Sequence, residues 1–449
     1  MEKAGKPAVG IVAAGFERSA MATARAYGLP QFRYALVREV LTGLAPQQIE
    51  REVADALDQF IEALTTDADR GSGKPATQEI KPADCLKIDA TDSYEAFEKM
   101  NRQFLELEWG DGFPLIPPTA EKVERMLKGT TRSASDVITV LAPGNGFATV
   151  EKIAINAVMA GCEPVHLPIL IATCQAYTGL GDAVRGMAVS TSPHAPLMVI
   201  NGPIAREIGI NSKRCSMGPG LQSRHNIVLG RALRLIMINI GNCHPGHMDM
   251  DTIGTARKFG MCVAENEEQS PWEPFHAEKG FDKDASTVTL FSTRDEIEVN
   301  DLGSWTPEAL LNSFAFFGAI PGGEYLANTH SGYRLPPCYP HLLMVCPEYA
   351  NICGKAGWPK KAVREYVYQH CRTSARRLLN KWRSNASDVI FPHWRWLLKL
   401  SEWELEQTIL PVMETANDVE IVVVGGPAGK NMIYRCSAAP STAIIKDRA

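Results

Sequence analysis

Several things are missing from this 449-residue chain, and each absence narrows what it can be. No stretch reaches the ~18 uninterrupted apolar residues of a membrane-spanning helix. The opening MEKAGKPAVG has no apolar core of a secretory signal. The expected setting is therefore soluble and cytoplasmic, without membrane attachment. There is no long run of charge of one sign, and a formal net charge of −5 gives no basic footprint for nucleic acid. The eleven cysteines include no C-x-x-C pair, the closest being Cys338, Cys346 and Cys353. That spacing speaks against a disulfide framework and for reduced thiols. What is present is ample apolar content, 45%, enough to bury a large core and, on length, to build roughly two or three domains.

The hydrophobic patterning predicts an α/β fold made of a small βαβα segment over residues 1–66, a polar linker over 67–83 and a larger mixed α/β domain over 84–449. In the first segment PAVGIVAA and FRYALV read as strands. A helix ending at Gly28 separates them, and a second helix, opened by Pro46, puts Ile49, Val53, Leu57, Phe60, Ile61 and Leu64 on one face. Two parallel strands need further strands and cover on both faces, so the rest of that sheet is expected from later in the chain or from another chain. Beyond Gly110-Asp111-Gly112 a short apolar strand is expected. ATVEKIAINAVMAGC and LPILIATCQAY read as helices and APLMVINGP as a buried strand. Helices are also expected from Lys361 to about Trp382 and from Trp394 to Leu410, with VEIVVVGGPAG as a buried strand entering a glycine turn. No repeat of fixed period is visible, although two βα-type halves could underlie the pattern.

The densest ligand-type chemistry lies between His225 and Glu278, around an apolar helix from Ile227 to Ile240. Connecting segments on a rigid scaffold are where chemistry usually sits. Four candidates follow. Gly218, Gly220, Ser223, Arg224 and Asn226 precede that helix, and glycines with a helix N-terminus can take an anionic substrate; an ordinary turn is the alternative. Asn201, in the turn after its strand, is a further substrate-binding candidate. In CHPGHMDMD, His244, His247 and Asp251 could ligate a divalent metal such as zinc. However, Pro245-Gly246 denies the histidines a common helical face, so a hydrogen-bonded polar loop is the competing reading. In AENEEQSPWEPFH, Glu265, Glu267 and His276 are acid/base candidates, since like charges crowded together raise one another's proton affinity; a solvated acidic loop is the alternative there. Cys162, Cys215 and Cys243 are thiol candidates, of which Cys215 has the cationic neighbours, Lys213 and Arg214, that favour a thiolate. Each is otherwise a small buried hydrophobe.

The run EKAGKPAVGIVAAGFERSAMATARAYGLPQFRYALV with its following helix resembles the C-terminal half of the selenoproteins named for a UGSC motif. More distantly it is similar to the selenoprotein B subunits of glycine and betaine reductases. The resemblance covers the N-terminal ~65 residues, and neither UGSC nor CGSC occurs anywhere in the chain. It implies redox chemistry by a selenol or thiol which, with that motif missing here, would sit on a partner polypeptide or be replaced. Residues 105 to about 430 resemble an uncharacterised bacterial family through WGDG, ATVEK, NGP, GPG and AENEE, a resemblance that supplies no mechanism. The leading expectation is an enzyme, a lyase or oxidoreductase. It would act on a small anionic molecule by thiol-assisted cleavage or reduction of a carbon–heteroatom bond, with carboxylate or histidine as acid/base. The alternatives are a metal-assisted lyase or hydrolase and a non-catalytic subunit that completes a partner's sheet; a homo-oligomer is expected.

Overall fold

The computed structural model describes residues 6–29, 31–41, 44–66, 85–301, 303–319, 340–383 and 392–449, and the linker read over 67–83 lies outside them. The N-terminal unit pairs β1 (Gly10–Ala13) in parallel with β2 (Tyr34–Val37) across the helix α1 (Glu17–Ala26). The single helix expected after Pro46 is two, α2 (Pro46–Asp55) and α3 (Leu57–Thr65). It breaks at Ala56, whose backbone sits in the bridge region at φ −93°, ψ 2°. The small core of this unit is Ala35, Val37 and Ala56, with Phe60 packed against it. Among the described residues no third strand joins the sheet. Hydrogen bonds tie the unit to the body, among them Asn145 Nδ2 donating to Ala26 O (2.6 Å), Arg185 Nη1 to Tyr27 Oη (2.8 Å) and Thr23 Oγ1 to Met248 Sδ (3.9 Å).

The body opens with α4 (Ser93–Glu106), capped by Asp92 Oδ1, which accepts from the N–H groups of Tyr94 and Glu95. The apolar stretch after Gly112, expected as a strand, has no sheet partner among the described residues; its Leu115 N–H bonds Asn101 Oδ1 (2.6 Å) instead. After α5 (Ala120–Leu127) come the hairpin β3 (Val137–Leu141) and β4 (Gly146–Thr149). Thr149 caps α6 (Val150–Ala160), followed by α7 (Leu167–Gly179) and α8 (Ala183–Val189). Both α6 and α7 are buried on most sides, as their near-continuous apolar sequences require.

Next come β5 (Ala195–Asn201), α9 (Pro203–Ile208), α10 (Arg224–Asn239), β6 (Met261–Ala264), α11 (Phe275–Glu278), β7 (Thr287–Thr293) and β8 (Ile297–Asn300). β5 pairs in parallel with β6 and antiparallel with β7. The remaining elements are α12 (Pro307–Gly318), β9 (His341–Val345), α13 (Pro347–Lys355), α14 (Lys360–His370), β10 (Arg372–Ser374), α15 (Ala375–Arg383), α16 (Glu402–Gln407), β11 (Ile409–Pro411), β12 (Val419–Val423), β13 (Lys430–Arg435) and β14 (Ser441–Ile444). The long helices expected at 361–382 and 394–410 are interrupted, because residues 372–374 leave α14 to pair antiparallel with residues 409–411.

Two four-stranded sheets result, in the orders β14-β7-β5-β6 and β12-β9-β13-β8. They repeat one plan. A central strand (β5, β9) lies parallel to the strand after a helical crossover (β6, β12) and antiparallel to the next strand (β7, β13). The last strand of each half then crosses to the other sheet: β8 pairs with β13, and β14 with β7. The exchange pivots on a reciprocal bridge at Thr293 and Cys436, where Arg294 N donates to Arg435 O and Ser437 N to Ser292 O, both at 2.8 Å.

Strand alternation explains the layering. From β5, Leu197 and Val199 face Leu342, Met344, Val422 and Tyr434 of the second sheet, whereas Met198 and Ile200 join the core under α6, α7 and α10. Leu343 and Val345 of β9 turn the other way, into the core beneath α12, α14 and α15. The chain is therefore α/β, with two sheets face to face between two helical layers. No helix of the described residues is long and apolar enough to cross a membrane.

Candidate active site at the carboxyl ends of β5 and β6

β5 ends on Asn201, and β6 runs out one residue before Glu265, so two polar side chains emerge where two parallel strands stop. Such carboxyl edges are where open α/β sheets bind ligands. A cleft of about 260 Å³ lies there, walled by Gly202, Arg206, Asn211 to Lys213, Glu265, Glu267 and Glu268. Asn201 is fully buried and divides its amide hydrogens between two carboxylates: Nδ2 donates to Glu265 Oε2 (2.5 Å) and to Glu267 Oε1 (3.0 Å). The Gly202 N–H adds a bond to Glu267 Oε1 (2.8 Å), and the Phe275 N–H one to Glu265 Oε2 (2.7 Å).

Glu265 is 4% exposed. Its second oxygen, Oε1, has no hydrogen-bond partner among the described residues, and neither has Asn201 Oδ1. Burial pushes the Glu265 carboxyl up, while Lys360, whose Nζ stands 3.8 Å from Oε1, pulls it back down. His276 is buried as well. Its Nε2 faces Lys283 O (3.2 Å) and so carries the hydrogen, which leaves Nδ1 directed at Glu267 Oε1, 3.9 Å away. At the mouth, Arg206 reaches Glu267 (4.0 Å) and Lys213 reaches Glu268 (3.4 Å); both basic side chains are more than half exposed. Asn266 turns from the cleft to the second sheet, its N–H donating to Val423 O and its Nδ2 to Gly425 O. Thus Asn201, Glu265, Glu267 and His276, separated by up to 75 residues of sequence, come together, with Glu265 and Glu267 in the cleft wall and Asn201 and His276 buried beside them.

The loop before α10 is committed to internal bonding. Ser223 Oγ donates to Cys215 O (2.5 Å), Asn226 is buried and bonds Asn211 and Cys262 O, and Arg224 pairs with Glu163 (2.5 Å). Gly218 and Gly220 hold the positive φ of that turn, 101° and 113°. The side chains expected to receive an anion are therefore already engaged with protein.

The CHPGHMDMD loop does not gather a ligand set. His247 Nε2 meets Glu108 Oε1 (2.8 Å), Asp251 pairs with Lys258 (2.7 Å), and among the described residues no three His, Cys, Asp or Glu side chains are placed to hold a metal ion. The loop's Asp249 instead neutralises two buried cations, Arg234 (2.9 Å) and Lys258 (2.7 Å). Among the three thiol candidates, Cys162 and Cys243 are buried and burial raises both thiols, that of Cys243 to about 11. Cys215 is exposed, on a left-handed backbone with φ 54°.

Sequence reasoning missed Lys360, Arg364, Glu278 and Glu420, which continue inward from Glu265. Lys360 Nζ lies 3.4 Å from Glu278 Oε2, Arg364 contacts both Glu278 and Glu420, and Lys279 Nζ closes on Glu420 Oε1 (2.6 Å). A lysine opening a helix after Pro359 carries no sign that it will be buried; only the packing of α14 against the sheets decides that.

Comparison with known proteins gives a single finding. No curated protein and no solved structure matches the chain. Its residues 1–66 match the model of the UGSC family, the likeness that the N-terminal strand, helix and strand imply, and the match stops before the cleft.

Proposed function

We propose that this chain is an enzyme that moves a proton on a small anionic substrate in the cleft beside Glu265, so that a carbon–heteroatom bond of that substrate breaks. The observation that carries this reading is the Glu265 carboxyl, which belongs to the cleft wall, is buried and raised by burial, and has one oxygen without a hydrogen bond among the described residues. A carboxyl with raised proton affinity holds its proton to higher pH than an ordinary glutamate and can release it to a leaving group. Arg206 and Lys213 at the mouth provide the positive charge for an anionic group. In this reading the bond-breaking nucleophile is a thiolate, either Cys215 of the same chain or a thiol or selenol of a partner. Sulfur or selenium bonds to carbon, the heteroatom departs with the bonding pair, and Glu265 protonates it. The free cysteines suit a reducing, cytoplasmic setting.

The test is incubation with a pooled set of small carboxylic and phosphorylated metabolites, read by untargeted mass spectrometry. Substrate consumption should fall at least ~100-fold in Glu265→Gln with the thermal melt retained. Unchanged turnover in a folded Glu265→Gln would end this reading. Turnover that survives alkylation of every accessible cysteine would remove the thiol and leave the proton step.

A second reading has its own observation. The β1–β2 pair is a two-stranded parallel sheet with Ile11 52% exposed at its edge, and such a pair is too small to be stable alone. A partner chain, or a second copy, would add strands there and in the partner case could bring the thiol or selenol. Native mass spectrometry of the protein purified from its own cells would give a single-chain mass if this reading is wrong.

A further inference from the structure

We propose that Lys360 is the positioning residue of the Glu265 site: an ammonium delivered by α14, in the outer helical layer of the second sheet, to the buried side of the Glu265 carboxyl at the first sheet's cleft. The proposal rests on Glu265 being the proton-transfer group, and its argument is the charge pairing behind that residue.

Six buried or half-buried groups form a chain inward from the cleft: Glu265, Lys360, Glu278, Arg364, Glu420 and Lys279. Two of the carboxylates have close partners of their own. Glu278 is in contact with Arg364 Nη1, and Glu420 Oε1 accepts from Lys279 at 2.6 Å. Arg364 is further held by its Nε bond to Val419 O (2.7 Å), so it cannot turn to the cleft. The charge left to balance is Glu265, and the cation left to balance it is Lys360, 6% exposed. Lysines are almost never buried that far unless paired. Phe275 joins the two: its N–H donates to Glu265 Oε2 while Lys360 Nζ lies 6.0 Å from its ring centre. The remaining titratable groups about Glu265 are Glu267, Glu268 and His276 on its own side, and Arg206 and Lys213 at the mouth. Of the basic groups among them, none stands within ion-pair distance of Glu265.

A purely structural lysine would affect the melting temperature alone. A positioning lysine also sets how readily Glu265 gives up its proton, and this can be read without a substrate. The C=O stretch of the protonated Glu265 carboxyl, assigned by its disappearance in Glu265→Gln, is followed against pH by infrared difference spectroscopy of the full-length protein. In Lys360→Met the titration midpoint should rise by at least about one pH unit, a tenfold change in proton affinity. In Lys360→Arg it should stay near the native value, and in Glu278→Gln, which keeps Lys360 and removes its competing carboxylate, it should fall. A folded Lys360→Met with the native midpoint overturns the proposal. Should that variant not fold, an unmoved midpoint in Glu278→Gln overturns it instead. The outcome is separable from that of the proposed function: a midpoint that follows Lys360 in a protein whose Glu265→Gln variant keeps full turnover leaves the pairing intact and removes the catalytic role.

Discussion

Asp249 shows how a residue type can be legible while its role is not. In sequence it belongs to a cluster of metal-ligand types, and the folded chain gives it two buried cations instead, Arg234 and Lys258. Taking away one partner of a buried ion pair costs about 3–5 kcal/mol, because the remaining charge stays desolvated. Asp249→Ala should therefore destabilise the protein by about that amount, since it strands Arg234, while Lys258 keeps its pairing with Asp251. Asp249→Asn, which keeps one acceptor, should cost less; urea denaturation of both variants would check the order. At the candidate site the position of Asn201 at the end of an all-apolar run, and the glutamates after another, were visible because polar groups that follow a buried strand must emerge at the sheet edge. Lys360 was not visible, because its partner lies 95 residues away and meets it only through the stacking of two sheets.

Among the elements, α10 and β6 show what apolar periodicity cannot reveal. The helix and the strand were both expected from their hydrophobic runs, but not how closely they approach. Gly230 on α10 lies against Gly260 at the entry of β6, and a Cβ on Gly230 would come within 2.7 Å of Met261 N and 2.8 Å of Gly260 C. Those contacts are backbone, which cannot swing aside. Gly230→Ala should cost at least about 1–3 kcal/mol, the range for overpacked cores. It should also disturb the cleft at the far end of the same strand, which a loss of turnover exceeding the loss of folded protein would report. The interrupted helices at 371–374 failed in the sequence for a related reason: their apolar spacing is helical, and the pull of Ile409–Pro411 on a short strand is a long-range pairing that local periodicity does not contain.

For the molecule as a whole, three of the buried histidines set the acid limit. His166, His194 and His341 sit in different parts of the body, and burial lowers each to about 4 from an ordinary 6.5. The folded state thus binds these protons more weakly than the unfolded chain. Their contribution is intact above about pH 6.5 and is lost progressively as pH falls to 4. Each can remove on the order of 2–3 kcal/mol by pH 4, from the value of about 1.4 kcal/mol per pH unit. Together these losses approach the 5–15 kcal/mol of a typical domain. Glu265 and Asp418, whose carboxyls are raised, act in the opposite sense and recover part of it. Acid unfolding should begin between pH 6 and pH 5 by near-UV circular dichroism, and a folded His341→Gln variant should shift the onset downward.

The exchanged edge strands also bear on how the protein is made. The strand β7 is complete long before synthesis ends, yet its outer neighbour is β14, residues 441–444. While the ribosome works through the intervening sequence, that edge stands open as a template for any passing strand. The first sheet therefore closes only after residues 441–444 have been made, and a nascent chain released before them carries a finished helical layer over an unfinished sheet. Deleting residues 441–449 should give a protein that expresses at normal rates and precipitates, and adding the missing strand as a synthetic peptide during refolding should restore solubility.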